Sequence, residues 1–164
     1  MKSTMLLSLL KIKTTYGNFP ETVKDITSDS RETHEDSVFV AIKGHQTDGL
    51  YFADDVIQRG CRFIVADRYI DLPDHVGLLV VKDPGKTAAL FAEYIYDFPH
   101  ESQTMIGVTG TNGKTTVSTM IHNLSMALGK KSAYLGTNGF MINEDHIVSA
   151  NTTPETTRLH KRLR

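Results

Sequence analysis

The chain has 164 residues, 40% of them hydrophobic and 23% charged, with a formal net charge of −1. This is an ordinary soluble composition, with no basic excess that would point to nucleic acid or an anionic surface as partner, and no apolar run approaches the roughly 20 residues needed to cross a bilayer. A single cysteine, Cys61, excludes an internal disulfide framework and points to a reducing compartment.

In chain order, residues 2–13 (KSTMLLSLLKIK) have a basic start and several leucines. Ser8 breaks the apolar core and no small-residue cleavage site follows. An amphipathic first helix is therefore expected rather than a signal peptide, and with it a cytoplasmic protein. Residues 22–27 (TVKDIT) alternate as a strand, and SDSR at 28–31 reads as a turn. Residues 37–42 (SVFVAI) are β-branched and aromatic, which predicts a buried strand. A polar loop, GHQTDG (44–49), leads into a helix over 51–59 stopped by Gly60. Two more buried strands are expected at 62–66 and 77–81. Pro84 then opens a helix reaching Phe98, since its missing N–H costs nothing in a first turn. Of Tyr94 and Tyr96, one is expected in the core and one at the surface. Cys61 is expected to be an inert buried thiol.

Residues 98–104 (FPHESQT) are polar and contain a proline, which marks a linker. They divide the chain into a compact α/β domain, 1–98, and a second unit, 104–164. The second unit reads as a strand at 104–109, a Gly-rich turn, a helix over 115–128 stopped by Gly129, and a strand at 132–136. A hairpin about Asn143-Glu144-Asp145 follows. Thr153 then caps a last helix with Pro154 at its first position. One crossover and a hairpin fall short of a doubly wound domain, so the second domain is expected to be truncated.

The turn carries the chemistry. Residues 104–116 read TMIGVTGTNGKTT. Gly110 and Gly113 let the backbone take positive φ and come close to a ligand. The N–H groups that follow, with a helix N-terminus behind them, face an anion. Lys114 adds a point charge for outer phosphates, and the Thr115 hydroxyl suits Mg²⁺. The strict phosphate-loop pattern would place glycine where Val108 stands, so the motif is the shorter G-x-x-G-K-T. An ordinary βα turn would not explain a lysine and two hydroxyls crowded at a helix start. ATP-driven chemistry is expected.

The segments ITSDSR (26–31), VFVAIKGHQTDG (38–49), VTGTNGKTT (108–116), YLGTNGF (134–140) and ANTTPET (150–156) together resemble the Mur ligases of peptidoglycan synthesis. They most resemble the branch that adds the third residue of the stem peptide. The resemblance implies a small N-terminal UDP-sugar-binding α/β domain followed by the start of a P-loop ATPase-like central domain. It implies ATP and Mg²⁺ as cofactors, and two small-molecule substrates: UDP-MurNAc-L-Ala-D-Glu and a diamino acid. L-Lysine is favoured, with meso-diaminopimelate the alternative. It implies that Gly110, Thr111, Asn112, Gly113, Lys114, Thr115 and Thr116 hold the ATP phosphates, with Lys114 the catalytic cation. Ser28, Ser30, His45, Gln46 and Thr47 would contact the UDP-sugar, and Asn151, Thr152 and Thr153 would grip the substrate near its reacting end. Thr115 and Thr137 would stand at the metal.

The family's remaining central domain and its C-terminal domain have no counterpart in this chain, so the chain alone is expected to form no amide product. Two other readings stay open. One is a non-catalytic module that holds the UDP-sugar or ATP. The other is a different ligase of the same kind, such as a folylpolyglutamate synthase, against which GHQTDG and NTTPE argue. Ser28 and Ser30 are also good turn formers, and Asn151–Thr153 a good helix cap, without any ligand. The histidines at 34, 75, 100, 122, 146 and 160 show no metal-ligand spacing.

Overall fold

The computed structural model describes residues 1–44, 47–147 and 155–164. The chain forms two compact units: residues 1–102 together with 156–164, and residues 103–155.

The first unit is built on a five-stranded sheet. Its strands are β1 (Thr14–Tyr16), β2 (Asp25–Thr27), β3 (Ser37–Val40), β4 (Phe63–Ala66) and β5 (Gly77–Val80), in the order β1-β5-β4-β3-β2. β2 to β5 run parallel, and β1 is added antiparallel to β5. Parallel strands need covering on both faces, which is why β3 and β4 are continuous apolar runs. Alternate residues point to opposite sides. Val38, Val40, Phe63, Val65 and Leu79 meet Phe91 and Ala92 of α3 (Pro84–Ile95) and Leu6 of α1 (Ser3–Ser8). Phe39, Ile64, Ala66 and Leu78 meet Val56 of α2 (Ala53–Gln58) on the other side. The result is a three-layer α/β sandwich, the class expected from the strand pattern. Gly77 has a packing role: a Cβ there would run into the Phe19 ring, which packs edge-on against Phe63 at 4.8 Å.

Several elements follow the sequence closely. α2 is entered through a 3₁₀ turn at Gly49–Phe52 and ends before Gly60, whose φ is +92°. Asp83 caps α3 by accepting from the Lys86 N–H at 3.0 Å, with Pro84 inside the first turn. Cys61 is buried, and burial pushes its thiol pKa up. Tyr96 is the core tyrosine, and Tyr94 packs half-buried against Phe98.

The linker forms a 3₁₀ turn, Pro99–Ser102. Beyond it the sequence-based expectation needs correction. Residues 104–109 form no strand, and Met105 and Ile106 are 66% and 61% exposed. A buried parallel strand needs neighbours to take its N–H and C=O groups. None of the described strands lies beside this segment. The second unit instead consists of α4 (Lys114–Ala127) and an antiparallel sheet β6-β7-β8: Ala133–Gly136, Gly139–Ile142 and Asp145–Ile147. The expected parallel βαβ is thus replaced by an antiparallel meander. α4 stops at Gly129 (φ +72°), whose N–H and that of Lys130 bond back to Met126 and Ser125. His122 of α4 is buried, with Nδ1 3.0 Å from Ser132 Oγ and Nε2 3.2 Å from the Asn143 carbonyl. The opposite face of α4 exposes Val117, Met120, Leu124 and Leu128.

The last helix, α5 (Thr156–Leu163), packs on α3 of the first unit. Its cations explain the docking. Lys161 Nζ reaches Asp25 Oδ2 at 2.5 Å, and Arg158 reaches Asp29 at 2.9 Å and Glu32 at 2.8 Å.

Candidate functional site

The turn at 110–113 is built by its glycines. Gly110 has φ +152° and Gly113, at the N-cap of α4, has φ +80°. Both are conformations that a side chain would strain. A Cβ at Gly113 would meet nothing within 4 Å, so the turn is open on that side. Among the described residues, the backbone N–H groups of Asn112 to Thr116 make no hydrogen bond to the chain. These are the orphan donors of a helix start, aligned with the positive end of the helix dipole. Val117 is the first residue to close the helix, onto the Gly113 carbonyl at 2.9 Å.

The Lys114 ammonium folds over the turn, onto the Gly110 carbonyl at 2.5 Å and the Thr111 carbonyl at 3.3 Å. Both bonds are exposed to water, so exchanging them for a charged acceptor costs little and gains a stronger, charge-assisted bond. The Thr115 hydroxyl lies 2.8 Å from that of Thr137, in the turn between β6 and β7. The structure thus brings Thr115 and Thr137 together, although 22 positions separate them. Two neighbouring hydroxyl oxygens are hard, neutral donors of the kind Mg²⁺ accepts alongside water and phosphate oxygens.

In the first unit, the predicted residues follow the C-terminal ends of adjacent parallel strands. Ser28 and Ser30 come directly after β2, and Thr47 lies in the loop after β3. Open α/β sheets bind ligands at these ends. The SDSR turn is shaped by Asp29, which accepts from the Arg31 N–H at 3.0 Å and from its guanidinium at 2.9 and 2.7 Å. The Ser30 carbonyl takes the Thr33 hydroxyl at 2.6 Å. The Thr47 carbonyl accepts from the Gly44 N–H at 2.9 Å, pinching the loop. His45, Gln46, Asn151, Thr152 and Thr153 lie outside the described residues.

Two features of the first unit escape a sequence reading. Arg68, just past β4, pairs with Asp48 at 2.5 Å and Asp67 at 2.9 Å, tying the loops after β3 and β4 together. A cation directly after an apolar strand is its only signal in the sequence. The second feature is Asp25 of β2, a buried carboxylate held by Lys161, by the Tyr96 hydroxyl and by His34 Nε2 at 3.3 Å. Burial works to raise its pKa, yet the hydrogen bonds from Lys161 and Tyr96 outweigh this and lower it. Burial and the same bond push the Tyr96 phenol up.

Asp29 is held down at about 2 from an ordinary 3.8, chiefly by the Arg31 guanidinium and against the opposing effect of burial. The unfolded chain therefore takes up this proton first. The contribution to stability is complete above about pH 4 and is lost as pH falls through about 2. Urea unfolding midpoints should fall over that window, and Asp29→Asn should flatten the fall. Parallel pH profiles for the two proteins would contradict the assignment.

The chain thus presents two places with polar groups: the glycine turn at the head of α4, and the loops after the parallel strands of the first unit. Residues 108–164 match the Mur ligase middle domain. The whole chain is 44% identical over 164 residues to the UDP-N-acetylmuramoyl-L-alanyl-D-glutamate–L-lysine ligase of Staphylococcus epidermidis, of which it spans 33%. It also resembles a MurF ligase from Thermotoga maritima crystallised with ADP (32% identity, TM-score 0.53, 67% of this chain and 24% of that one). A UDP-N-acetylmuramoyl-L-alanyl-D-glutamate–2,6-diaminopimelate ligase, at 21% identity and TM-score 0.61, shares the fold over 86% of this chain and 28% of its own. The likeness to Mur ligases thus runs along the whole chain, which spans about one third of the length of the L-lysine ligases it matches.

Proposed function

We propose that this chain supplies the UDP-sugar-binding and ATP-phosphate-binding parts of the L-lysine-adding Mur ligase, the enzyme that extends UDP-MurNAc-L-Ala-D-Glu. The observation that carries the proposal is the Gly110–Thr116 turn, with unpaired N–H groups at the head of α4, Lys114 over it and Thr137 beside Thr115. The ADP bound by the Thermotoga maritima relative supports ATP as the nucleotide. The names of the staphylococcal relatives support L-lysine over meso-diaminopimelate.

The chemistry explains the parts. A carboxylate is a poor electrophile. Its oxygen attacks the γ-phosphorus of ATP, ADP departs, and an acyl phosphate forms. The lysine amine then attacks the carbonyl carbon, inorganic phosphate leaves, and the amine gives up a proton. Negative charge spreads over the transferring phosphoryl group, so catalysis is mostly positioning and charge stabilisation. In this proposal the amides of Gly110–Thr116 and the Lys114 ammonium hold that charge. Thr115 and Thr137 would hold Mg²⁺, which neutralises phosphate oxygens. Ser28, Ser30, His45, Gln46 and Thr47 would bind the UDP-sugar, and Asn151, Thr152 and Thr153 its reacting end. The domain division at 98–104 separates the UDP-sugar loops from the ATP-phosphate turn, with Asn151, Thr152 and Thr153 on the side of the turn. Binding belongs to these 164 residues, and amide formation to the ligase as a whole.

Calorimetric titration tests this. The 164-residue chain is expected to bind MgATP and, separately, UDP-MurNAc-L-Ala-D-Glu, each with one saturable site, and to ignore folates. Absence of MgATP binding, or saturable folate binding, would overturn the proposal.

A further inference from the structure

Glu93, His100 and His160 have no part in the site above, yet three elements bring them together. Glu93 stands on α3, His100 in the 3₁₀ turn Pro99–Ser102, and His160 on α5, all within the first unit. One ligand atom from each lies within 4.8 Å of the other two. We infer that these residues form a binding site for a divalent transition-metal ion of the zinc class.

The donor set decides the class. Two imidazoles and one carboxylate suit zinc and its neighbours, whereas Mg²⁺ and Ca²⁺ prefer oxygen alone. The site is therefore chemically distinct from the hydroxyl pair of Thr115 and Thr137. Around a tetrahedral zinc ion with bonds of about 2.1 Å, ligand atoms stand about 3.4 Å apart. The present spacing, within 4.8 Å, is wider than this, so binding requires the side chains to draw together.

The His160 ring is already oriented. Its Nδ1 lies 2.8 Å from the Thr156 carbonyl, one turn back on α5. A carbonyl only accepts, so Nδ1 carries the proton and Nε2 of the neutral ring keeps its lone pair. An imidazole held by a carbonyl on one nitrogen and free on the other is the usual state of a metal-bound histidine. Glu93 and His160 are half-buried and His100 exposed, which leaves room for water at a fourth position. An ion at this point would join α5 to α3 and to the turn after it. It would add to the ion pairs of Lys161 and Arg158, because an ion that binds only the folded arrangement stabilises it.

The probes are Zn²⁺ and Co²⁺ alone, added to the chelator-treated 164-residue chain without nucleotide. One equivalent of Co²⁺ should give a visible ligand-field spectrum that Zn²⁺ abolishes, and Zn²⁺ should raise the melting temperature. His100→Ala changes an exposed side chain and should keep the fold while weakening Zn²⁺ at least about tenfold. Glu93→Gln should do the same, and His75→Ala, in an exposed segment, should change nothing. Equal Zn²⁺ affinity in all four proteins, or no stoichiometric site in the parent chain, overturns the inference. Both readouts are independent of the ligase reading and stand if MgATP fails to bind.

Discussion

Lys114→Ala is expected to weaken MgATP binding by a factor on the order of 10 to 100, the worth of one hydrogen bond to a charged group. The reason is local. The ammonium sits over the turn, donating to the Gly110 and Thr111 carbonyls, and no other lysine or arginine lies in the turn. Fold stability should change little, within about 0.5 kcal/mol, because the two bonds lost are exposed to water. Affinity for the UDP-sugar should be kept in the variant, since Ser28, Ser30 and Thr47 belong to the other compact unit. Calorimetry reads both constants. An unchanged MgATP constant would remove Lys114 from the phosphate site, and equal loss of both ligands would defeat the division of roles.

Phe63→Ala should cost about 3–5 kcal/mol, the usual loss for a buried phenylalanine cut to alanine. Phe63 is fully buried on β4, which has β3 and β5 as neighbours. Its ring meets Phe19 at 4.8 Å and Phe91 of α3 at 6.2 Å, both edge-on. Neither partner can follow it inward. Phe19 lies over Gly77, against a backbone that leaves no room for a Cβ, and Phe91 is carried by a helix fixed at both ends. A cavity therefore remains. For a unit of roughly this size the melting temperature should fall by about 10 °C or more. Phe63→Leu, which keeps most of the volume, should lose much less. A melting temperature within a degree or two of the parent for Phe63→Ala would mean that the two layers of the core are not joined through this ring.

The strands of the first unit are legible in the sequence because burial on both faces demands β-branched and aromatic runs, and SVFV, FIVA and GLLV are such runs. β1 is not. Thr14–Tyr16 is exposed throughout and carries no alternation, and its partner on β5 lies more than 60 positions away. The segment 104–109 errs the other way. Its composition suits a strand, but a strand exists only when neighbours accept its hydrogen bonds.

The glycine turn at the head of α4 is legible because its constraints are local: positive φ, a helix start, one cation and two hydroxyls. Resemblance can suggest Thr137, but only the fold of β6 and β7 sets its hydroxyl against Thr115. Asp25 illustrates the limit most clearly. In sequence it is one acidic residue in a short strand. In the structure Tyr96 and Lys161 reach it from 71 and 136 positions away. The histidines repeat the lesson, since Glu93, His100 and His160 have no ligand spacing along the chain and share one point in space.

The sequence by itself determined the α/β class, the glycine turn at the head of α4 and the likeness to Mur ligases, because periodicity, backbone conformation and motif spacing are properties of neighbouring residues. Only the tertiary structure decided which charges meet, where the last helix docks and which distant side chains lie together. Those outcomes depend on the closure of long loops, and a linear order of residues does not specify it.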